Sequence, residues 1–481
     1  MKVALLLPAE PSWQVGTGSS VPPLGLLYIA GVLNQAGHEV SITDQAGENL
    51  SDEKLKQKIK KLEPDILGLT TYSHSGQKAI ELVQDIKETN PNLITIFGGY
   101  FATFNAKKIL ETTPAVDFCV RGEGEYTAVE LVNALEKKRD LSEVAGITYR
   151  ENNIVKSTPD RPLIKDLDAL PIPDRNLIKG NTYGNYANLS IDFFTSIGTS
   201  RGCPYNCTFC LATQWSRNKW RRRDVHKIAD EFEYLTHLGY ENFLLVDDNF
   251  TANRKHVIRL CQELRHRNLD INWICEGRTT GGSLEMYNEM SHAGCRMIYL
   301  GLESGNQRIL DYYNKHATIN DAFLTVKKIR KAQIDFITGS FILGAPGETI
   351  QELQNTIDFS IKLDLDAPLF GILNVFKGTR LWDEYLAQGY IDPERHWGKA
   401  LPVCNIHPDC APRDIIIEII NRGYNKFLRR KKWFIKFLLR SLKSKFRLKM
   451  VIKNFNQRHE LRKRFKFSDI VQHDLYMEDE T

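Results

Sequence analysis

The stretch Arg201-Gly202-Cys203-Pro204-Tyr205-Asn206-Cys207-Thr208-Phe209-Cys210 sets three cysteines at spacings of four and three within one short loop. Three thiolates from such a loop can each hold one iron of a cubane 4Fe–4S cluster and leave the fourth iron without a protein ligand. An open iron is a binding position, so the number of cysteines matters as much as their spacing. Structural zinc is the competing reading, but it takes four Cys or His ligands, commonly in paired sets. No fourth Cys and no His follows within fifteen residues, His226 being the first. Three reduced thiols that bind nothing are the remaining alternative.

Downstream of the loop, short apolar runs alternate with helical periodicity, the mark of βα units on a parallel sheet. Strands are expected at 194–198, 243–246, 272–275, 297–302, 336–343 and 369–375, with helices at 224–237, 254–267, 283–293, 319–332 and 349–363. In barrels of this kind the chemistry gathers at the carboxyl ends of the strands. Asp247-Asp248-Asn249 ends the second strand. A carboxylate there can receive an ammonium group that has left water. The same residues can instead cap the helix that follows. Arg278, after the third strand, carries a guanidinium suited to bidentate capture of a carboxylate. Glu303, in Gly301-Leu302-Glu303-Ser304-Gly305, can accept from ribose hydroxyls or pair with Arg278.

Residues 1–145 repeat the βα rhythm, with strands expected at 3–7, 39–43, 66–70, 93–97 and 117–120 and a helix at 24–35 ended by Gly37. Ligands of an open α/β sheet bind beyond the carboxyl ends of its strands. Those ends carry Thr71, Tyr72 and Ser73, then Gly98, Gly99 and Tyr100, then Glu123 and Gly124. Glycines there let the backbone approach a large flat ligand closely. Residues 146–188, with Pro159, Pro162, Pro171 and Pro173, form a junction poor in regular structure.

At 481 residues the chain needs several domains, and 42% hydrophobic with 26% charged residues is a globular composition. Nine cysteines, an odd number, fit a reducing compartment rather than a disulfide framework. The opening Met1-Lys2-Val3-Ala4-Leu5-Leu6-Leu7-Pro8 reads as a buried strand, not a signal core. With no apolar run long enough to cross a bilayer, the expected location is cytoplasmic. The net charge of +5 hides an asymmetry. Residues 422–466 hold 18 Lys/Arg and one acid, so that tail carries +17 and the rest of the chain −12. Phe434, Leu438, Leu442 and Phe446 recur every four positions, with Lys436, Arg440, Lys443 and Arg447 on another face. Such a helix either lies on an anionic membrane surface or packs on the acidic body with its charged face solvated. RNA ranks lower, because no nucleic-acid module accompanies the tail.

The cysteine spacing with Phe209 before the last Cys, and the ordered motifs behind it, resemble the radical S-adenosylmethionine superfamily. Upstream, Pro22-Pro23-Leu24-Gly25-Leu26, Gly98-Gly99 and Arg121-Gly122-Glu123-Gly124-Glu125 resemble the cobalamin-binding domain that precedes many such cores. The resemblance implies an α/β protein in three parts. A flavodoxin-like, Rossmann-type cobalamin domain spans 1–145 and a linker 146–188. A (β/α)6 partial TIM barrel spans 189–395, and a helical basic extension 396–481. It also implies a 4Fe–4S cluster on Cys203, Cys207 and Cys210. S-adenosylmethionine would be held by Phe209, Asp247, Asp248, Arg278, Glu303, Ser304 and Gly344. The Asp-x-His-x-x-Gly loop that gives cobalt a histidine elsewhere is absent, and His38 and His74 sit in no such motif. Cobalamin is therefore expected without a protein histidine on cobalt. The alternative is a flavodoxin-like domain without a ligand.

The implied reaction is reductive cleavage of S-adenosylmethionine to a 5′-deoxyadenosyl radical, the electron coming from a reductant such as flavodoxin or ferredoxin. Methylation of an unactivated carbon on a lipid-like or tetrapyrrole substrate would follow. Oxidative ring closure, as in the oxygen-independent cyclase of magnesium-protoporphyrin ester, stays open. A tRNA-modifying methylthiotransferase is a further alternative, but those enzymes carry three more N-terminal cysteines and only Cys119 precedes the loop here. Cys404, His407 and Cys410 are read as unligated.

Overall fold

The computed structural model describes residues 1–9, 21–73, 75–181, 183–186, 189–190 and 194–453. They form two compact units. One comprises Met1–Tyr183, Gln214–Ser216 and Phe376–Ala400; the other comprises Gly184–Thr213, Arg217–Val375 and Leu401 onward.

The first unit is built on a seven-stranded sheet in the order Glu39–Asp44, Lys2–Leu7, Ile66–Thr70, Ile94–Gly98, Phe118–Val120, Ile147–Glu151, Ile154–Ser157. The first five strands are parallel and the last two antiparallel. Val3 and Leu5 pack on one face against Leu26, Leu27 and Leu33, whereas Ala4 and Leu6 pack on the other against Leu55, Val83 and Phe101. A strand buried on both faces reads as a continuous apolar run, as residues 3–7 do. The sheet order reverses beside Lys2–Leu7, which places the topological switch point between that strand and Ile66–Thr70.

The stretch expected as a junction from 146 opens instead with a hairpin, Ile147–Glu151 paired to Ile154–Ser157. Its two-residue turn sets Asn152 and Asn153 at φ 50° and 65°, the positive values a tight hairpin turn demands. Beyond it the chain runs in short turns, and Leu167 and Leu170 bury against Leu24, Tyr28 and Val32. Residues 376–395, expected in the core, and 396–400, expected in the basic extension, belong to the first unit. Trp397 stacks at 6.5 Å on Phe101, and an added Cβ at Gly378 would strike the Phe104 ring at 2.3 Å.

The second unit holds a six-stranded all-parallel sheet in sequential order: Phe194–Ile197, Asn242–Leu245, Asn272–Arg278, Cys295–Glu303, Phe336–Leu343 and Ala367–Ile372. Helices Val225–His237, Arg254–His266, Leu284–His292, Ile319–Lys331 and Ile350–Lys362 connect these strands. Each starts at a side-chain cap, Asp224, Asn253, Ser283, Thr318 or Thr349. One core cluster runs from Ile197 to Phe427.

Residues 401–453 belong to this unit and are not a body of their own. Helix Arg413–Leu428 buries Ile416, Ile419, Ile420, Gly423 and Phe427, an i, i+3, i+4, i+7 stripe that only packing can satisfy. The basic stretch is helical in separate pieces. Lys431–Ser441 follows as a separate helix and 445–453 is helical again, while 454–466 lie outside the described residues.

Candidate active site

The cysteine loop leaves the first barrel strand through Ser200–Arg201, which pairs with Arg221–Arg222, and turns at Gly202 with φ 87°. Cys203 and Cys207 are buried and Cys210 half-buried. The loop is pinned from the segment after the fourth strand. Thr208 N donates to the Tyr313 carbonyl at 3.1 Å, and Asn314 Nδ2 donates to the Asn206 carbonyl at 2.7 Å. Phe209 meets Tyr313 edge to face at 5.2 Å. Burial raises the Cys203 thiol and pushes Cys210 up to about 11, so a bound metal is what would hold either as thiolate.

The two aspartates after the second strand divide their work. Asp247 is buried and accepts from Thr199 N at 2.7 Å and from the Thr199 and Ser200 hydroxyls, each at 2.5 Å. Burial outweighs these donors and pushes its carboxyl up to about 6. Its acceptors serve the entry to the cysteine loop, so the role expected of it toward an ammonium group does not fit its surroundings. Asp248 is exposed and accepts from Gly202 N at 2.7 Å.

Asn249 donates through Nδ2 to Cys203 Sγ at 3.9 Å and accepts through Oδ1 from Thr251 Oγ1 at 3.0 Å. Thr251 Oγ1 in turn accepts from Arg278 N at 3.1 Å. A chain of polar groups thus links the third strand to the first cysteine.

Arg278 is buried. Its guanidinium carbon lies 3.7 Å from the Tyr205 ring centroid, Nη1 donates to Cys207 Sγ at 3.4 Å, and Nη2 donates to the Lys315 carbonyl. Its Nε is buried without a partner. An unspent donor on a buried cation beside two cysteines suits an acceptor supplied from outside the chain, a carboxylate or a cluster sulfide.

Glu303 does not pair with Arg278. It pairs with Lys315 at 2.5 Å, both side chains being 6% exposed. Glu303 sits at φ 62° where the strand register slips, a bulge at the strand's carboxyl end. Gly301 makes the pairing possible, since a Cβ there would lie 2.5 Å from Glu303 Oε1 and 2.8 Å from Lys315 Nζ. Lys315 was not legible as a partner, because it lies twelve residues on, after a helix.

Ser304 faces Thr356 at 3.2 Å and accepts from Asn306 N at 3.1 Å, a role internal to the turn. Gly344 takes φ 89° and, with Ala345, donates its N–H to Glu348. Burial pushes Glu348 up to about 7. Cys410 Sγ donates to the Gly344 carbonyl at 3.4 Å and Cys404 Sγ to Asn405 Oδ1 at 3.7 Å.

Among the described residues no three Cys, His, Asp or Glu side chains converge on one metal ion. A cubane takes one thiolate per iron, so its ligands stand apart. Three cysteines on one loop with Asn249 and Arg278 as sulfur-facing donors fit that group.

In the first unit, the residues expected at cobalamin lie at the carboxyl edge of the sheet, with unequal freedom. Thr71 is buried, its hydroxyl donating to the Gly98 carbonyl at 2.7 Å. Gly99 takes φ 92°, and a Cβ there would lie 2.6 Å from the Thr71 carbonyl. Gly98 has no neighbour within 3.9 Å of an added Cβ and leaves open backbone. Tyr72 is exposed, Ser73 half-buried, and Tyr100 lies 4.6 Å from the Trp215 ring of the same unit. Glu123 is buried and accepts from Ile164 N at 2.7 Å, bracing the junction, while Gly124 heads a helix. His38 sits at the opposite, amino end of the sheet with Nδ1 3.4 Å from the chain's first nitrogen. His74 lies outside the described residues. The glycine edge beside the switch point fits a large flat ligand.

Residues 197–360 match the Radical SAM superfamily and residues 16–132 the B12 binding domain. An uncharacterized methyltransferase of Pyrococcus horikoshii is 34% identical over 91% of this chain and 94% of its own. An anaerobic magnesium-protoporphyrin IX monomethyl ester cyclase of Cereibacter sphaeroides is 29% identical over 90% of this chain and 71% of its own. Among solved structures, the radical S-adenosylmethionine methyltransferase TsrM from Kitasatospora setae, with cobalamin and a 4Fe–4S cluster bound, superposes with a TM-score of 0.66. It shares 19% identity over 80% of this chain and 75% of that one, a likeness of fold. Sheet order, cysteine loop and these matches together define a cobalamin-dependent radical S-adenosylmethionine enzyme. The chain belongs to the B12-binding family related to magnesium-protoporphyrin cyclases and class B methyltransferases.

Proposed function

We propose that this enzyme methylates an unactivated carbon of an apolar substrate, lipid-like or tetrapyrrole. When bound, the cluster and S-adenosylmethionine would supply the hydrogen-abstracting radical, and cobalamin the methyl group. The chain's own residues do the positioning. Cys203, Cys207 and Cys210 hold the cluster, with Asn249 and Arg278 donating toward two of the sulfurs. Arg278 turns its unspent Nε toward the methionine carboxylate, and Asp248, exposed at the loop's edge, receives the ammonium group. Glu303, fixed by Lys315, and the turn at Gly344 flank the ribose and adenine, and Phe209 presses on the adenine. Tyr72, Ser73, Gly98, Gly99, Tyr100 and Gly124 would border cobalamin, which is expected to bind without a protein histidine on cobalt. The electron comes from a flavodoxin- or ferredoxin-like donor.

The observation that carries the S-adenosylmethionine site of this reading is the unpartnered Nε of buried Arg278 beside the cysteine loop. The methyltransferase relative of almost equal length supports methyl transfer. Ring closure stands as a second reading, because the cyclase relative aligns with 90% of this chain.

Anaerobic reconstitution tests the proposal. Protein loaded with iron, sulfide and cobalamin, given S-adenosylmethionine and a low-potential reductant, should release 5′-deoxyadenosine and methylate extracted lipids or pigments, as read by mass shift. A Cys203→Ala protein that still releases 5′-deoxyadenosine would refute the core assignment. Substrate desaturated or cyclised without gaining a methyl group would select ring closure.

A further inference from the structure

The helix Lys431–Ser441 has three faces. One grips the barrel unit. Trp433 Nε1 donates to the Leu365 carbonyl at 2.9 Å, Trp433 stacks on Phe437 at 5.0 Å, and Arg440 pairs with Asp364. Arg447, in the next helical segment, is buried, with Nη2 at 2.5 Å from Asp366 and its guanidinium carbon 4.6 Å from the Phe336 ring centroid. Arg440 and Arg447, which the sequence pattern assigns to a free cationic face, are thus structural.

The second face is apolar and has no cover. Phe434, Ile435, Leu438, Leu439 and Leu442 are between 42% and 74% exposed. At 3.6 residues per turn they fall within an arc of about 140°. Single exposed apolar residues are ordinary, but five contiguous apolar side chains on one helix face mark a binding surface. The third face is cationic. On it Lys432 and Lys436 are exposed, and residues 431–453 contain no Asp or Glu.

We propose that this surface docks the enzyme on an anionic lipid bilayer, the five apolar side chains entering the headgroup boundary and the lysines meeting lipid phosphates. Charge complementarity selects this occupant, since an apolar stripe flanked on its own helix by Lys432 and Lys436 and by no acid matches an anionic surface with an apolar layer beneath. A second copy would set the same lysines against each other. RNA would need stacking rings, yet four of the five exposed side chains are aliphatic, and Trp433 and Phe437 face inward. Among the described residues no helix is long and apolar enough to cross a membrane, so the attachment is peripheral.

Flotation of the full-length protein with phosphatidylcholine vesicles, with and without phosphatidylglycerol, tests this. The protein should float with the anionic vesicles, at least about tenfold better than with phosphatidylcholine alone, and should be released by high salt. Leu439→Glu/Leu442→Glu and Lys432→Glu/Lys436→Glu should each lower flotation by at least about tenfold while melting as the parent does, all four residues being exposed. No flotation of the parent, or equal flotation of the leucine variant, would overturn the proposal. So would a parent dimer that the leucine variant dissolves, or stripe-dependent RNA retention, without flotation. The readout is lipid binding alone, so it stands or falls separately from the substrate reading.

Discussion

Glu348→Gln tests the electrostatics of the turn after the fifth barrel strand. Glu348 is buried, its Oε2 accepts from the Gly344 and Ala345 N–H groups, and its Oε1 has no partner. Burial pushes its pKa from 4.5 up to about 7, against the pull of the two donors. The folded state therefore binds this proton more tightly than the unfolded chain. Its stabilising contribution is full below the unfolded value near 4.5 and is lost as pH rises through about 7. The displacement converts to about 3 kcal/mol. Glutamine keeps an acceptor for the two N–H groups, brings a donor to the vacant side, and never ionises. Urea unfolding of parent and variant, followed by circular dichroism from pH 5 to pH 8, isolates the group because all others are common to both. The variant should gain on the parent by about 3 kcal/mol across that range. A gap that does not change with pH, or a variant that loses ground at pH 8, would show that the turn holds an ionised carboxylate and refute the reasoning.

Lys315→Met leaves Glu303 buried and unpaired, and should lower stability by about 3–5 kcal/mol, with most of it restored in Glu303→Gln/Lys315→Met. Asn249→Ala removes the donor to Cys203 Sγ, so the reconstituted cluster should titrate at a more negative potential by EPR; an unchanged midpoint rejects that contact. Gly99→Ala forces a Cβ to 2.6 Å from the Thr71 carbonyl at φ 92° and should reduce retained cobalamin in the visible spectrum. Gly98→Ala, in extended backbone with nothing nearer than 3.9 Å, should leave the melting temperature close to the parent while lowering retention, which separates bulk against the ligand from backbone strain at this edge.

The βα rhythm was legible because it is local. Helices 24–35 and 254–266, and the fifth barrel strand 336–343, lie where periodicity and caps place them. The three cysteines were legible because their ligand spacing falls within eight residues. Contacts between distant segments were not. Nothing near Glu303 announces Lys315, since the pairing depends on a helix that returns the chain and on the missing side chain at Gly301. The hairpin at 147–157 was hidden by the prolines that follow it, although Asn152-Asn153 carries a turn signal. Residues 376–395 look like a continuation of the barrel, and contacts such as Trp397 on Phe101 and Glu394 with Lys108 give this segment its place. The tail's cations form one class by sequence, but burial separates Arg447 from Lys443.

A further division within the site follows from which polar groups are already spent. Asp247 gives its oxygens to Thr199 and Ser200, Thr71 gives its hydroxyl to Gly98, and Glu123 accepts from Ile164. Buried groups satisfied in this way gain little from a ligand, because a new hydrogen bond must first break an old one of similar worth. Arg278 differs. Two of its nitrogens face Cys207 and the Lys315 carbonyl, while the third is buried and unsatisfied, a state that costs roughly 1–3 kcal/mol until an acceptor arrives. A ligand that supplies that acceptor recovers the cost as binding energy. Among the polar groups at the carboxyl ends of the barrel strands, Arg278 is therefore where a carboxylate beside the cysteine loop gains most, and the neighbouring aspartate Asp247 shapes the loop that brings it there.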